Sequence, residues 1–291
     1  SIWALATSHG FAGAYVVTSH SLSASVLAGE TGAMERDYAH HSARHSRHVE
    51  SPEDIGRRAG ERAVARLNPG RVKSGAMPVV LDPRVGSSLL GHLSGAISGS
   101  AITRQTSFLL DAMGTQVFAP GIRIQDDPHR PRGLRSRPFD GEGLPVSPVA
   151  LIDDGKLETW LLDSAAARQL GLEATGHASR GIGGAPGVGP SNLFMEAGKL
   201  PVETLIADIG YGVYVTELIG QGVNLITGDY SRGAAGFLIE NGEITRPVSE
   251  FTVAGTLQAM FAALVPANDL EFRYGINVPT LRIDGMTVAS G

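Results

Sequence analysis

"GFLIENGEITRPV", residues 236–248, decides the fold. Two strand-like runs flank Asn241-Gly242, a pair that adopts the left-handed dihedrals of a two-residue hairpin turn at little steric cost, so the stretch predicts two antiparallel strands. "VALIDDGKLETWLL", residues 149–162, repeats the pattern around Asp154-Gly155. Toward the N-terminus, "GAYVVTSHSLSASVLAGE" (13–30) alternates small or apolar with polar residues between glycines, which predicts further antiparallel strands from Gly10 to Tyr38. "MPVVL" (77–81) reads as a buried strand.

Helices interrupt these strands. In "SPEDIGRRAGERAVARLNPG" (51–70), Ser51 is placed to cap, Pro52 suits the first turn and Glu53 and Asp54 face the positive end of the dipole. Asn68-Pro69-Gly70 stops the helix; Ile55, Ala59, Val64 and Leu67 form the expected buried stripe, and Arg57, Arg58, Glu61, Arg62 and Arg66 the wet face. "LLGHLSGAISG" (89–99) is a second helix, and shorter ones are expected at 164–170, 202–209 and 254–264. The fold class is α+β: mainly antiparallel sheets with packed helices, in two units, 1–70 and 76–291, joined by the linker-like "NPGRVKSGAMP".

Composition agrees and excludes several function classes. The 291 residues include 38 glycines and 16 prolines with only 6% aromatics, which favours short strands and tight turns. A net charge of −5 without a basic block leaves no footprint for nucleic acid. "TLQAMFAALV" (256–265), the best apolar run, is far short of the ~20 residues that cross a bilayer, so no membrane partner is expected. With no secretory pattern in residues 1–20, the expected compartment is the cytoplasm. The absence of cysteine removes disulfides, thiolate ligands and a cysteine nucleophile. The chain begins at Ser1 inside a strand-like pattern and reads as a piece of a longer polypeptide.

Several clusters invite a chemical reading. His40, His41, His45 and His48 crowd one segment, but a four-residue step along a strand is about 13 Å, too long for one ion, so they read as exposed strand-end histidines. The charged loop from Ile122 to Gly143 offers Asp126, Asp127, His129, Asp140 and Glu142 as hard metal ligands, among five arginines expected to neutralise them. "TGHASRGIGGAPGVGPSN" (175–192) lacks the spacing of a phosphate loop and reads as a flap beside a cleft, with Arg180 and Asn192 as hydrogen-bonders to a bound molecule. No G-x-S-x-G elbow singles out a serine.

The sequence resembles the PmbA/TldE branch of the TldD/PmbA family of metallopeptidase-type proteins. The resemblance rests on "LATSHGFAGAY", "SLSASVLAGE", "ERDYAHHSARH", the helix from Pro52, "DDP" followed by "FDGEG", "TGHASRG", "PTLRIDGMTV" and, most specifically, "GQGVNLITGDYSRGAAGFLIENGEI". It implies that residues 1–70 are the remainder of the family's middle domain and 76–291 its C-terminal domain. In the catalytic TldD branch, a helix carries HExxxH and a later loop a cysteine. Aligned on Leu89-Leu90 and Gly95, those helix positions are Gly91, His92 and Ala96, and the loop holds only "EFRYGIN" (271–277). His92 falls at the edge of the stripe of Val85, Leu89, Leu93 and Ile97 and is expected to pack there half-buried.

The resemblance therefore implies a non-catalytic subunit with no metal of its own, zinc being held by a TldD-type HExxxH partner in a pair that cleaves peptides or unfolded proteins. An extended peptide is expected to add as a strand, with Gly220, Gln221, Gly222, Asn224, Thr227, Asp229 and Ser231 as candidate contacts beside Arg180 and Asn192. The same glycine-rich run equally reads as a turn needed for folding alone. Two alternatives stand open: a peptide-binding homodimer without hydrolysis, and a metal hydrolase built on Asp126, Asp127, His129 and Glu142. The family's association with gyrase modulation gains no support as direct DNA binding from an acidic chain.

Overall fold

Two hairpins open the chain in the computed structural model, which describes residues 1–181 and 183–290. The first pairs β1 (Ile2–Ala6) with β2 (Ala12–Val16), and the second pairs β3 (His20–Ala28) with β4 (Glu35–Ala43) in unbroken register from His20↔Ala43 to Ala28↔Glu35. Helix α1 (Pro52–Ala65) lies on this second hairpin. Its start is as expected, with the Ser51 hydroxyl accepting from the Asp54 N–H at 3.1 Å and Pro52 in the first turn. Its buried line is Ile55, Ala59 and Ala63, packed on Ala39 and on Leu22, Ala24 and Val26. Val64, expected inside, is 59% exposed, because a strict i, i+4 line along the strands carries Ala63 inward instead.

The remainder is built on a closed ring. β5 (Gly75–Leu81) leads into α2 (Pro83–Ala96) and the short α3 (Gly99–Thr103); β6 (Ile124–Asp126), β7 (Val149–Asp153) and β8 (Lys156–Leu157) follow, then α4 (Ser164–Leu170). After the small ribbon of β9 (Ala178–Ser179) and β10 (Gly187–Val188) come β11 (Leu193–Met195) and α5 (Val202–Ile206). The long strands β12 (Tyr211–Ile219), β13 (Asp229–Glu240) and β14 (Glu243–Thr256) form a meander, followed by α6 (Leu257–Ala263), β15 (Leu264–Pro266), β16 (Ile276–Asn277) and β17 (Leu281–Ser290). The order β14-β13-β12-β5-β17 closes on itself because β14 also pairs β17, from Phe251↔Ser290 to Ala254↔Thr287. A second sheet, β16-β11-β6-β7-β8, completes the layer.

Alternation along the strands sets the packing. Val79, Leu81, Val213 and Val215 join Leu89, Leu90 and Leu93 of α2 and Ile124, Leu151 and Leu193 of the second sheet in one core. Val80 and Ile239 turn to the opposite face, against Ile206 and Ile209. The α+β class with predominantly antiparallel sheets is as expected, although β5–β12 and β11–β16 pair in parallel. The supposed linker is held in place: Gly70 donates to the Pro247 carbonyl at 2.8 Å and Val72 is buried in the main core. Helix α6 starts at Leu257 rather than at 254, since residues 251–254 of β14 are held between two strands; α5 stops at Ile206 rather than at 209.

Candidate functional site

Helix α2 starts where Asp82 accepts from the Arg84 N–H at 2.9 Å, with Pro83 at its first position, and runs without interruption to Ala96. On such a helix, Gly91, His92 and Ala96 point in divergent directions, residues five apart differing by about 140°. Gly91 is exposed and Ala96 fully buried. His92, the only one with a donor atom, is half-buried as expected, its ring edge-on to Tyr230 at 6.0 Å between centroids. Burial, then the nearby Arg232 charge, pushes its pKa down. Zinc, which the family implies, needs about four imidazole, thiolate or carboxylate donors converging on one point. The α2 positions do not fit that requirement, and among the described residues no group of three or more His, Cys, Asp or Glu side chains is arranged to hold a metal ion.

The acidic loop also fails to assemble a ligand set, and for a different reason than neutralisation by its arginines. Asp126, 2% exposed, accepts from the Ser191 hydroxyl at 2.8 Å and faces the His177 Nε2 at 3.3 Å. Asp127 closes its own turn by accepting from the His129 N–H at 2.8 Å. Asp140 accepts from the Glu142 and Leu144 N–H groups, both at 2.9 Å, and from the Ala178 N–H at 3.2 Å, while Glu142 accepts from the Ser164 N–H at 2.8 Å at the start of α4. Each carboxylate accepts from donors of its own surroundings, with only Asp126 Oδ1 among these acceptors buried without a partner among the described residues. The arginines go elsewhere: Arg123 pairs with Asp153 at 2.8 Å, and Arg130 stacks on the Phe272 ring at 3.1 Å.

The histidines are separated as well. His40 and His41 lie on β4, where His40 packs between Tyr38 and Tyr274, and His41 Nδ1 accepts from the Glu50 N–H at 3.1 Å. His45 and His48 sit beyond the strand with their rings 5.7 Å apart. His40, His41 and His48 are half-buried rather than exposed; burial, then His41 and neighbouring arginines, lowers the His40 pKa. Asn192, proposed from sequence as a ligand contact, is 1% exposed and spent internally: its amide donates to the Asp127 carbonyl at 2.7 Å and to Ser136 Oγ at 2.9 Å, and its oxygen accepts from the Arg135 N–H at 2.9 Å.

Gly220 to Gly228 form the turn between β12 and β13, with Asp229 and Ser231 at the start of β13, and the turn is tied to its surroundings where the Leu225 carbonyl accepts from the Phe108 N–H at 2.9 Å and the Gly228 carbonyl from the Leu257 N–H at 2.7 Å. The Ser231 N–H donates to the Gly222 carbonyl at 2.7 Å, Asn224 N–H to the Asp229 carbonyl at 2.9 Å, and the Thr227 hydroxyl to Asp229 at 2.6 Å; Gln221 is exposed at the tip. Gly220 has a φ of 83°. None of these residues lines the cleft that holds Arg180.

Arg180 instead lines a cleft of about 370 Å³ between β1 and β9. Its walls are Trp3, Ala4 and Leu5 on one side, Arg180, Gly181 and Gly183 on the other, and Tyr15 and Phe139 at its base; Ile182 lies outside the described residues. Ser1 and Thr7 bond inward to Val17 and Phe11, so alternation directs the Ala4 N–H and carbonyl away from β2, toward the cleft. Trp3 is 49% exposed, and Arg180 has no carboxylate partner among the described residues. Trp3, Tyr15 and Phe139 were not legible as site residues: nothing in their spacing joins positions 3, 15 and 139.

Residues 74–290 match the sequence model of the PmbA/TldA metallopeptidase C-terminal domain and residues 1–67 that of the central domain. The chain is 43% identical to metalloprotease PmbA of Escherichia coli O157:H7 over 97% of its own length and 61% of that protein's. A crystal structure from Bacteroides thetaiotaomicron, described as a proposed modulator of DNA gyrase, superposes with a TM-score of 0.89 at 33% identity, covering 98% of this chain and 63% of that one. TldE from Thermococcus kodakarensis shares the fold, with a TM-score of 0.86 at 23% identity over 97% of this chain and 65% of its own. The chain thus spans about three-fifths of the relatives it matches.

Proposed function

Because the chain belongs to the PmbA/TldD metallopeptidase family, we propose that it is a TldE-type, non-catalytic subunit. It holds an extended peptide or unfolded segment while a TldD-type HExxxH chain, carrying the zinc, cuts it in a cytoplasmic complex. The observation that carries this reading is the donor set of α2: an exposed glycine, a half-buried histidine and a buried alanine occupy the three positions of the family's metal-binding pattern. One imidazole leaves neither a metal shell nor a base for a metal-bound water.

The cleft between β1 and the glycine-rich segment is where a client fits. The outward groups of Ala4 offer strand-type hydrogen bonds that are indifferent to side chains, Trp3 and Tyr15 supply apolar walls, and Arg180 supplies an unpaired cation for peptide carbonyls. The test is reconstitution with a TldD-type protein of the same source. A stable complex, peptidase activity in the mixture alone, and no stoichiometric zinc on this chain are expected. Peptide cleavage by the isolated chain in the presence of chelator, or a full equivalent of zinc bound to it, would overturn the assignment.

A further inference from the structure

Three crevices adjoin at Tyr15 and Arg137, which line all of them. The first is the cleft at β1; the second, of about 360 Å³, lies past Trp3 and Val17, and the third, of about 570 Å³, opens beside Val16 and Thr18. Five arginines stand on their walls: Arg180 in the first, Arg135 in the second, Arg132 in the third, Arg44 in the second and third, and Arg137 in all three. Among the described residues the only carboxylate lining them is Asp140. It is 2% exposed and already accepts from three backbone N–H groups.

The arginines keep their charge. Arg44 donates to the carbonyls of Thr18, Gly133 and Leu134, Arg137 to the Gly189 carbonyl at 3.2 Å, and Arg132 lies 3.4 Å from His48 Nε2. A carbonyl accepts a hydrogen bond without cancelling the charge of a guanidinium, and among the described residues none of the five pairs with a carboxylate. Burial, then Arg132, Arg47 and His45, pushes the His48 pKa down, which fits a neighbourhood of cations. In a chain whose net charge is −5, composition does not account for so one-sided a wall. Like charges gathered on one wall repel, and an anion relieves the repulsion.

We propose that these crevices select an acidic client, an extended peptide rich in Glu and Asp side chains. The proposal rests on the reading of the β1 cleft as the peptide site and names the class of peptide it takes. The open edge of β1 favours a peptide over other polyanions, because the outward N–H and carbonyl of Ala4 pair with a main chain. The crevices follow the hairpin from Leu5 and Trp3 to Val17 and Thr18, so a strand added at Ala4 and continuing that way has the arginines beside it. A single exposed ion pair discriminates little. Repeated carboxylates on one segment engage several guanidinium groups at once.

Fluorescence anisotropy of the intact chain tests this with short labelled peptides that alternate Thr with Glu, with Gln or with Lys. At low salt the Glu peptide is expected to bind about tenfold or more tighter than the Gln peptide, and the Lys peptide most weakly; the gap should close near 1 M salt, where screening acts within about 3 Å. Arg135 and Arg180 are both exposed, and an Arg135→Gln, Arg180→Gln chain is expected to lose most of the preference while still binding the Gln peptide. Equal affinities for the Glu and Gln peptides overturn the charge selection and leave the cleft standing as a strand-binding site. A preference that the double variant keeps in full also overturns it. If none of the three peptides binds, the cleft reading falls and the proposal with it. An oligothymidylate that binds more tightly than the Glu peptide and displaces it would assign the wall to nucleic acid and overturn the peptide.

Discussion

At Gly222 a methyl group would lie 2.0 Å from the Ser231 carbonyl oxygen, and at Gly91 it would meet nothing within 4 Å. The two glycines were both singled out from sequence, one as a peptide contact and one as a vanished ligand, and their surroundings give opposite expectations. Gly222→Ala forces apart the Gly222 and Ser231 backbones, which the Ser231 N–H joins by donating to the Gly222 carbonyl, and is expected to cost about 1–3 kcal/mol in denaturant unfolding. Gly91→Ala, in the exposed interior of α2, is expected to stabilise by about 0.5–1 kcal/mol through helix propensity. A Gly91→Ala chain that loses stability would mean that the α2 surface is not what the geometry describes. His92 adds a pH dependence. Burial, then Arg232, holds its folded pKa below the ordinary value, so the unfolded chain takes up a proton first as pH falls. Its contribution is fully present above about pH 6.5 and is lost as pH falls from there toward the lower folded value. His92→Phe should therefore flatten the decline of stability between neutral and mildly acidic pH; unchanged slopes would count against the burial argument.

Helix α1 shows how far an element can be read before its neighbours are known. Its cap, proline and stop signal are local chemistry, and so are the Asn241-Gly242 hairpin and the α4 span, all of which lie where the pattern puts them. What covers a helix is not local. Arg66 reads as solvated because it lies off the apolar line, yet its side chain is only 11% exposed, reaching Glu35 at 3.5 Å, Asp37 at 3.8 Å and Glu217 of β12. The β14–β17 closure was illegible for the same reason: each strand pairs with a neighbour some tens of residues away, and hydrophobic alternation says nothing about which edge meets which. The same holds for the cleft, whose walls come from positions 3 and 180. Arg66→Ala takes the cation from Glu35 and Glu217 and leaves Asp37 to Arg84 alone, and is expected to destabilise by about 3–5 kcal/mol, more than any exposed arginine of α1. Arg57, 61% exposed and paired only along its own helix at 2.9 and 3.1 Å, should cost under about 1 kcal/mol when removed; equal losses at the two positions would show that the Arg66 cluster is not a buried network.

Across the whole molecule, ionic clasps are among the contacts that bind the hairpin and α1 to the ring. Glu50 accepts from Arg58 of α1 and from Arg273 near β16, both at 2.7 Å, and Asp37 of β4 accepts from Arg84 of α2 at 2.9 Å. Burial alone would raise the Glu50 carboxyl, but the hydrogen bonds from Arg58 and Arg273 outweigh it and hold the pKa below the ordinary carboxylate range. Its contribution is therefore present above the unfolded value near pH 4.5 and is lost as pH falls below it. Apolar contact within this first part is a small cluster around Ile55 and Ala59, whereas the ring shares one large core with α2 and the second sheet. The ring should accordingly be the stable unit, and the hairpin with α1 should borrow its protection through the clasps. In the unmodified chain, amides of α1 and of the ring are expected to exchange through one global opening at neutral pH. Removing both clasps in a Glu50→Ala, Asp37→Ala chain should speed α1 exchange about a hundredfold, consistent with a loss of about 3 kcal/mol, while ring amides such as those of Val213 and Val253 keep their protection. If protection is lost equally in both parts, the ionic contacts hold up the ring itself, and the division between a dependent N-terminal layer and an autonomous closed sheet is wrong.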